Sequence, residues 1–216
     1  MKLKPLDTLG EQVSPEEAAL LVIDVQNDYC HSDGVLSKQG RNLRMVTEMV
    51  PRLQAFIKTC RSVQLPILFL RTIHYPWTDS PSWLRRLAAE RRESVCRPET
   101  WGAEFYGEIR PTEGDVIVTK HRYSGFIGTN LDLILRSRGV RSLLIAGAAT
   151  HLCVESTLRD AYMLNYYIVL LEACVADSDL ALHRASLKNV ARHFGTVTSS
   201  TDVVKLWEQH PSTPLG

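Results

Sequence analysis

A cysteine near the start of a predicted helix is the most reactive side chain that the sequence offers. Cys153 lies in segment 145–161, Ile-Ala-Gly-Ala-Ala-Thr-His-Leu-Cys-Val-Glu-Ser-Thr-Leu-Arg-Asp-Ala, where an apolar strand, a turn of small residues and a helical pattern follow one another. Backbone N–H groups at a helix N-terminus are unpaired and carry the positive end of the dipole. Both features lower the pKa of a thiol, and the N–H groups can hold an oxyanion. The segment predicts a nucleophile; a small buried cysteine packed beneath a helix is the alternative.

Two residues of opposite charge end apolar strands elsewhere in the chain. Asp24 ends the first strand in Leu-Val-Ile-Asp-Val-Gln-Asn-Asp-Tyr, and Lys120 ends the third in Val-Ile-Val-Thr-Lys-His-Arg-Tyr-Ser-Gly-Phe. Ligands of open α/β sheets bind beyond the carboxyl ends of the strands. A buried charge is costly unless it is paired. We expect Asp24 and Lys120, on strands that can be neighbours, to pair beside Cys153; a purely structural ion pair is the alternative.

The elements that must position these residues alternate regularly between apolar runs and helical patterns. This alternation predicts an α/β fold, a three-layer doubly wound sheet that is mainly parallel, with about six strands and helices on both faces. The predicted strands are 18–25, 66–72, 116–120, 141–146, 167–172 and 195–198, and the predicted helices are 41–62, 129–138, 151–165, 180–193 and 200–207.

One segment interrupts the alternation. Residues 75–110 hold three of the four tryptophans, three prolines and one charged helical pattern. We predict that residues 1–216 form a single domain, and that the excursion at 75–110 forms a pocket wall or an interface.

The composition excludes several classes of partner. A net charge of +1 gives no electrostatic reason to expect nucleic acid or an anionic membrane as a partner. The first ten residues lack the apolar core of a signal peptide, and no apolar run reaches membrane-spanning length. Five cysteines without a CxxC pair predict reduced thiols and a cytoplasmic protein.

Taken together, the three reactive residues and their contexts resemble the isochorismatase-like cysteine hydrolases over nearly the whole chain. The family pattern is Asp-x-Gln-Asn-Asp after the first strand, a lysine after the third, and Gly-x-x-Thr-x-x-Cys-Val after the fourth. All three occur here in order, at Asp24, Lys120 and Cys153. Segments 120–126 and 153–160 are most similar to ureidoacrylate amidohydrolases, and next to N-carbamoylsarcosine amidases and related ureido hydrolases.

This resemblance implies a cofactor-free amidohydrolase that releases ammonia through a thioester intermediate. Asp24 would take the Cys153 proton, return it to the leaving nitrogen and then activate water, while Lys120 favours the thiolate. The resemblance also implies that the N–H groups of Ala149 and Cys153 bind the oxyanion, and that the Ala148–Ala149 peptide is cis.

Metal and nucleotide sites are not expected. Nicotinamidases carry an Asp-x-His…His metal site beside the second strand, whereas segment 70–76 here has only His74. No Gly-x-Gly-x-x-Gly follows any strand, so no cofactor is predicted. His151, although near Cys153, is expected to face solvent or an interface because it stands at a helix start.

Substrate contacts are expected from segments that leave the active edge of the sheet. Such residues could stack on a planar substrate or pair with its carboxylate, for which Arg71 is the candidate. The alternative for each is simple packing. The predicted contacts are Tyr29, Arg71, His74, Tyr123 and Phe126.

Three competing functions remain open at this point. A true isochorismatase would cleave a vinyl ether, but its nucleophile position is typically not a cysteine. A nicotinamidase would need the missing metal motif, and a binding protein on the same fold would not need all three reactive residues. We expect a small-molecule substrate and a homo-oligomer, either a dimer or a tetramer.

Overall fold

The computed structural model describes residues 4–89 and 94–209, and a six-stranded parallel sheet forms its centre. The strand order is β3-β2-β1-β4-β5-β6, and every neighbouring pair is parallel. This architecture confirms the predicted fold class. The strands are β1 (Ala18–Ile23), β2 (Ile67–Thr72), β3 (Val116–Lys120), β4 (Ser142–Ala148), β5 (Tyr167–Ala176) and β6 (Thr196–Thr198).

Helices cover both faces of the sheet within the described residues. A π-helical turn, Thr150–Val154, and a 3-10 turn, Trp101–Ala103, complete the elements. The α-helices are α1 (Leu9–Gln12), α2 (Asn27–Cys30), α3 (Val35–Lys38), α4 (Arg44–Ser62), α5 (Pro81–Ala89), α6 (Leu131–Ser137), α7 (Glu155–Met163), α8 (Leu180–His193) and α9 (Ser200–Gln209).

The alternation of side chains along β1 explains the three layers. Leu20 and Val22 belong to the core beneath α4 and α9, while Leu21 and Ile23 belong to the core beneath α6, α7 and α8. Successive strand residues point to opposite faces, so an entirely apolar strand needs a helix layer on each side. All six residues of β1 are buried.

The strand order changes direction between β1 and β4. β2 and β3 follow on one side of β1, whereas β4, β5 and β6 lie on the other. Ligands of such sheets bind beyond the carboxyl ends of the strands where the order reverses. Gly147 permits the close approach there: its φ is +123°, and a Cβ atom would lie 2.0 Å from the Ile23 carbonyl oxygen.

The structure corrects three local predictions. β1 ends at Ile23 rather than at residue 25, because Asp24 adopts a left-handed φ of 52° that ends the extended strand. The helix predicted from residue 151 begins as the π-helical turn. β1 and β3 are not neighbours, because β2 lies between them.

Candidate active site

Asp24 and Lys120 form a buried ion pair across the end of β2. The Lys120 Nζ atom lies 2.7 Å from Asp24 Oδ2, and the two side chains are 0% and 1% exposed. Thr72, the last residue of β2, lies between them: its hydroxyl donates to Asp24 Oδ1 at 2.9 Å and accepts from Lys120 Nζ at 2.7 Å. Thr72 was not predicted as a site residue, because its place between Asp24 and Lys120 depends on the strand order.

Cys153 completes this group from the π-helical turn after β4. Asp24 and Lys120 lie close enough to its thiol to shift the thiol pKa, Asp24 upward and Lys120 downward. The structure thus brings together the three residues that the sequence analysis singled out, at the point where the strand order reverses.

The electrostatics of the thiol differ from the expectation. Burial raises the pKa of Cys153 above its ordinary value of 9.0, and the Asp24 carboxylate raises it further, while Lys120 opposes both. The net direction is upward, opposite to the lowering that the sequence pattern predicts. Burial also disfavours the charge of Lys120, but Asp24 and Cys153 outweigh it and raise the pKa of that amine. The resting thiol holds its proton and needs a base in contact with it.

The turn that precedes Cys153 has the expected backbone. The Ala148–Ala149 peptide is cis, as the family resemblance implies. The Ala149 carbonyl accepts hydrogen bonds from the N–H groups of Leu152 and Val154, at 3.0 and 3.3 Å. Binding of an oxyanion by the N–H groups of Ala149 and Cys153 stays a prediction.

A cavity of about 660 Å³ opens above the three reactive residues. Asp24 and Cys153 line it, together with residues of the 75–110 excursion, which therefore forms part of the cavity wall. The excursion residues that line it are Ser80, Ser82, Trp83, Arg86, Leu87 and Val95.

Three of the five predicted substrate contacts lie at this cavity and two do not. Tyr29, His74 and Tyr123 line it. Arg71 lies outside the lining, with its Nε donating to Thr119 Oγ1 at 3.1 Å across β2 and β3. Phe126 packs against Tyr166, with ring centroids 5.9 Å apart. The structure thus brings three of the predicted contacts to the cavity and leaves Arg71 and Phe126 outside its lining.

The basic residues that do line the cavity are Arg41, Arg86 and Arg122. All three are exposed, which places their charges at the cavity mouth. Arg122 Nη1 donates to the carbonyl oxygens of Thr78 and His121, at 3.1 and 2.6 Å. None of the three was predicted as a substrate contact from the sequence.

His74 belongs to a buried cluster in the cavity wall. Its ring stacks on Trp83, with centroids 4.6 Å apart, and its Nδ1 lies 3.7 Å from Asp79 Oδ1. Arg97 pairs with the other Asp79 oxygen at 2.6 Å. Burial lowers the pKa of His74 to about 4, more than the nearby Asp79 raises it. The imidazole is therefore neutral at pH 7.

The residues after Asp24 fasten the excursion to the sheet. The buried Gln26 side chain donates to the carbonyl oxygens of Thr72 and Ala103, at 2.9 and 2.8 Å, and accepts from the Thr72 N–H at 2.8 Å. Asp28 Oδ2 accepts from the Cys96 N–H at 2.7 Å. The Asp-x-Gln-Asn-Asp motif therefore supplies a reactive carboxylate and the polar contacts that hold the cavity wall.

The sequence predicts that His151 faces solvent or an interface. The structure instead places it in the lining of the cavity. Its Nδ1 lies 2.5 Å from Asp177 Oδ2, and Asp177 is fully buried at the end of β5. The predicted β5 stopped at residue 172, so this carboxylate escaped notice.

Within residues 4–89 and 94–209, no group of three or more His, Cys, Asp or Glu side chains is placed to hold a metal ion. Over the same ranges, no helix has the length and apolar character needed to span a membrane.

Comparison with known proteins places this fold and site in a family. Residues 18–202 match the isochorismatase domain. The chain is 30% identical to the ureidoacrylate amidohydrolase RutB of Acinetobacter baylyi over 213 residues, covering 92% of this chain and 87% of that protein. The chain belongs to the isochorismatase family.

Solved structures agree with this assignment. A cysteine hydrolase from Pseudomonas syringae pv. phaseolicola superposes with a TM-score of 0.81 at 27% identity, covering 95% of this chain and 98% of that one. An N-carbamoylsarcosine amidase from Thermoplasma acidophilum gives a TM-score of 0.70 at 32% identity, covering 85% and 96%.

Proposed function

We propose that this chain is a cysteine-dependent amidohydrolase that cleaves the C–N bond of a small ureido, carbamoyl or amide compound and releases ammonia. Its assignment as a hydrolase of carbon–nitrogen bonds is supported by relatives named ureidoacrylate amidohydrolase and by the family match. The observation that carries the proposal is the position of Cys153 in the lining of one cavity with Asp24, which is paired with Lys120 at 2.7 Å.

Acylation begins with a protonated thiol, because burial and Asp24 raise the pKa of Cys153. As sulfur attacks the substrate carbonyl, Asp24 accepts the thiol proton, and the Lys120 ammonium offsets the negative charge that moves onto sulfur. Ala149 and Cys153 donate their backbone N–H groups to the oxyanion. Asp24 then passes the proton to the leaving nitrogen, the C–N bond breaks, ammonia departs, and a thioester remains on Cys153.

Water completes the cycle by hydrolysing the thioester. Attack on the thioester carbon breaks the C–S bond, releases an acid product and restores the sulfur to its place beside Lys120. The second nitrogen of a ureido substrate stays with that product. The machinery needs no resident cofactor, because the nucleophile, base and charge partner all come from the chain.

A carboxylate on the substrate fits the charge at the cavity mouth. Arg41, Arg86 and Arg122 lie there, and a guanidinium binds a carboxylate in two places. Arg122→Ala should raise KM about tenfold or more for an anionic ureido compound and change it little for neutral nicotinamide. Arg71→Ala is the matched control, because Arg71 contacts Thr119 away from the cavity. Equal effects of Arg122→Ala on both substrates would refute carboxylate binding by this residue.

An ammonia-release screen tests the proposed activity. The purified chain is assayed with ureidoacrylate, N-carbamoyl amino acids, biuret and nicotinamide, and with isochorismate for vinyl ether cleavage. We expect turnover of a ureido or carbamoyl compound and its loss in Cys153→Ala. Activity of Cys153→Ala within roughly tenfold of the parent would contradict the nucleophile assignment.

We also propose that the chain works as a homo-oligomer, a dimer or a tetramer, in the cytoplasm. Exposed apolar side chains favour assembly: Trp77 and Met163 are 79% and 76% exposed, and Leu133 is 71% exposed. Five free, buried cysteines favour a reducing compartment. Light scattering at micromolar concentration should give a mass above one chain, and a monomer would refute the assembly.

A further inference from the structure

His151 and Asp177 form a second acid–base pair at the cavity that the acylation chemistry does not use. Asp177 Oδ2 lies 2.5 Å from His151 Nδ1 and also accepts the His151 backbone N–H at 3.0 Å. Asp177 Oδ1 accepts the N–H of Asp179 at 3.2 Å. This buried carboxylate fixes the imidazole with a proton on Nδ1, because a carboxylate favours a donor facing it.

The opposite edge of the ring faces the cavity. The His151 side chain is 26% exposed and lines the same cavity as Cys153, whereas Asp177 is 0% exposed. With Nδ1 turned to Asp177, Nε2 is the ring nitrogen available to cavity water, and no described residue is its hydrogen-bond partner. An imidazole oriented in this way is a general base.

His151 and Asp24 differ in how far their side chains are exposed. Asp24 also lines the cavity, but it is only 1% exposed, and Thr72 and Lys120 already hydrogen-bond to its carboxylate. This environment suits proton exchange with the thiol and with a leaving group held against it. Water that attacks an acyl group on Cys153 approaches from the cavity, where His151 is accessible.

We propose that His151, oriented by Asp177, is the base that activates the water for thioester hydrolysis, an inference that rests on the proposed function. The water oxygen bonds to the thioester carbon while one water proton moves to His151 Nε2. The C–S bond then breaks, the sulfur leaves as thiolate beside Lys120, and the product acid keeps the other proton. The imidazolium proton finally returns to the thiolate through water. His151 thus replaces Asp24 in the water-activating step expected from the family resemblance.

The experiment separates acylation from deacylation with p-nitrophenyl acetate, which acetylates a cysteine without needing a protonated leaving group. Stopped-flow absorbance gives the nitrophenolate burst, and intact-protein mass spectrometry gives the acetyl adduct. His151→Asn retains a donor for Asp177 but lacks Nε2. We expect its burst within about threefold of the parent, its steady-state rate lowered about 100-fold, and its acetyl adduct accumulated on Cys153.

Three further variants separate base catalysis from structural support. His151→Ala should regain deacylation when imidazole is added, which a misfolded turn would not do. His193→Asn, an exposed histidine of α8, is the control and should behave as the parent. Asp177→Asn should also slow deacylation more than acylation, since it releases the ring from its orientation.

The outcomes distinguish this inference from the proposed function. A His151→Asn variant that deacylates at the parent rate, or that loses burst and steady state together without imidazole rescue, overturns the role of His151. A parent enzyme that p-nitrophenyl acetate does not acetylate on Cys153 overturns the proposed function and this inference with it.

Discussion

At the residue scale, the site consists of three groups, of which Asp24 raises the pKa of both Lys120 and Cys153. Lys120 is completely buried, and its charge is tolerated because Asp24 lies 2.7 Å away. Both side chains shift the pKa of Cys153, and Asp24 lines the same cavity as Cys153. Two predictions follow from this coupling, one for the thiol and one for the ion pair.

Cys153 should be the first cysteine that iodoacetamide labels. It is 9% exposed at the cavity, whereas the other four cysteines are at most 4% exposed. Because the thiolate is the reactive form and burial raises the pKa of Cys153, its alkylation rate should still be rising above pH 9.0. Peptide mass spectrometry against pH measures this rate. A plateau below pH 8 would mean that the resting residue is a thiolate.

Substitutions in the Asp24–Lys120 pair should affect stability and catalysis differently. Asp24→Asn and Lys120→Met each leave a buried charge without its partner and should each cost about 3–5 kcal/mol of unfolding free energy. The double variant should be more stable than either single variant, because both charges are gone, yet remain inactive. Urea unfolding and ammonia release measure the two quantities. Recovery of activity in the double variant would show that the pair is only structural.

At the element scale, the excursion becomes a cavity wall because the end of β1 fastens it to the sheet. Gln26 bonds to Thr72 on β2 and to Ala103 on the excursion, with its side chain buried. Leaving a buried polar group without its partner costs free energy of unfolding. The Gln26 side chain therefore ties the position of Thr72 to that of the excursion.

Gln26→Leu should therefore destabilise the chain and impair catalysis together. It leaves the Thr72 N–H and two carbonyl oxygens unpaired, for an expected loss of about 3 kcal/mol of unfolding free energy. Thermal unfolding and turnover of the same preparation measure both effects. Gln54→Leu, on the exposed side of α4, is the control and should be nearly neutral. An unchanged melting temperature in Gln26→Leu would contradict the fastening role.

At the scale of the whole molecule, two apolar layers enclose the sheet and bury ionisable groups along with it. His74 is 5% exposed, and burial lowers its pKa from 6.5 to about 4. The unfolded chain therefore takes up this proton before the folded one does as the pH falls. His74 should weaken stability progressively as the pH falls from about 6.5 toward 4, and should have no such effect above that window.

Urea unfolding between pH 4 and pH 8 measures this linkage. His74→Asn should flatten the fall in unfolding free energy below pH 6.5, while His193→Asn on the exposed surface should keep the parent's pH dependence. A His74→Asn profile parallel to the parent's would show that this imidazole does not carry the effect.

The sequence by itself determined the elements, the family and the three reactive residues. Apolar strands and helical periodicity are local patterns, so β3 and α8 were predicted with the bounds that the structure shows. Short motifs around Asp24, Lys120 and Cys153, which the sequence displays directly, predicted the family. The domain match confirms it.

Only the tertiary structure decided which side chains meet. Strand order depends on contacts between distant segments, so the place of Thr72 between Asp24 and Lys120 could not be read locally. Arg71 and Thr72 are adjacent, yet alternation along β2 sends the arginine toward Thr119 and the threonine to the site. The raised pKa of Cys153 likewise comes chiefly from burial by the folded chain, which the local sequence does not display.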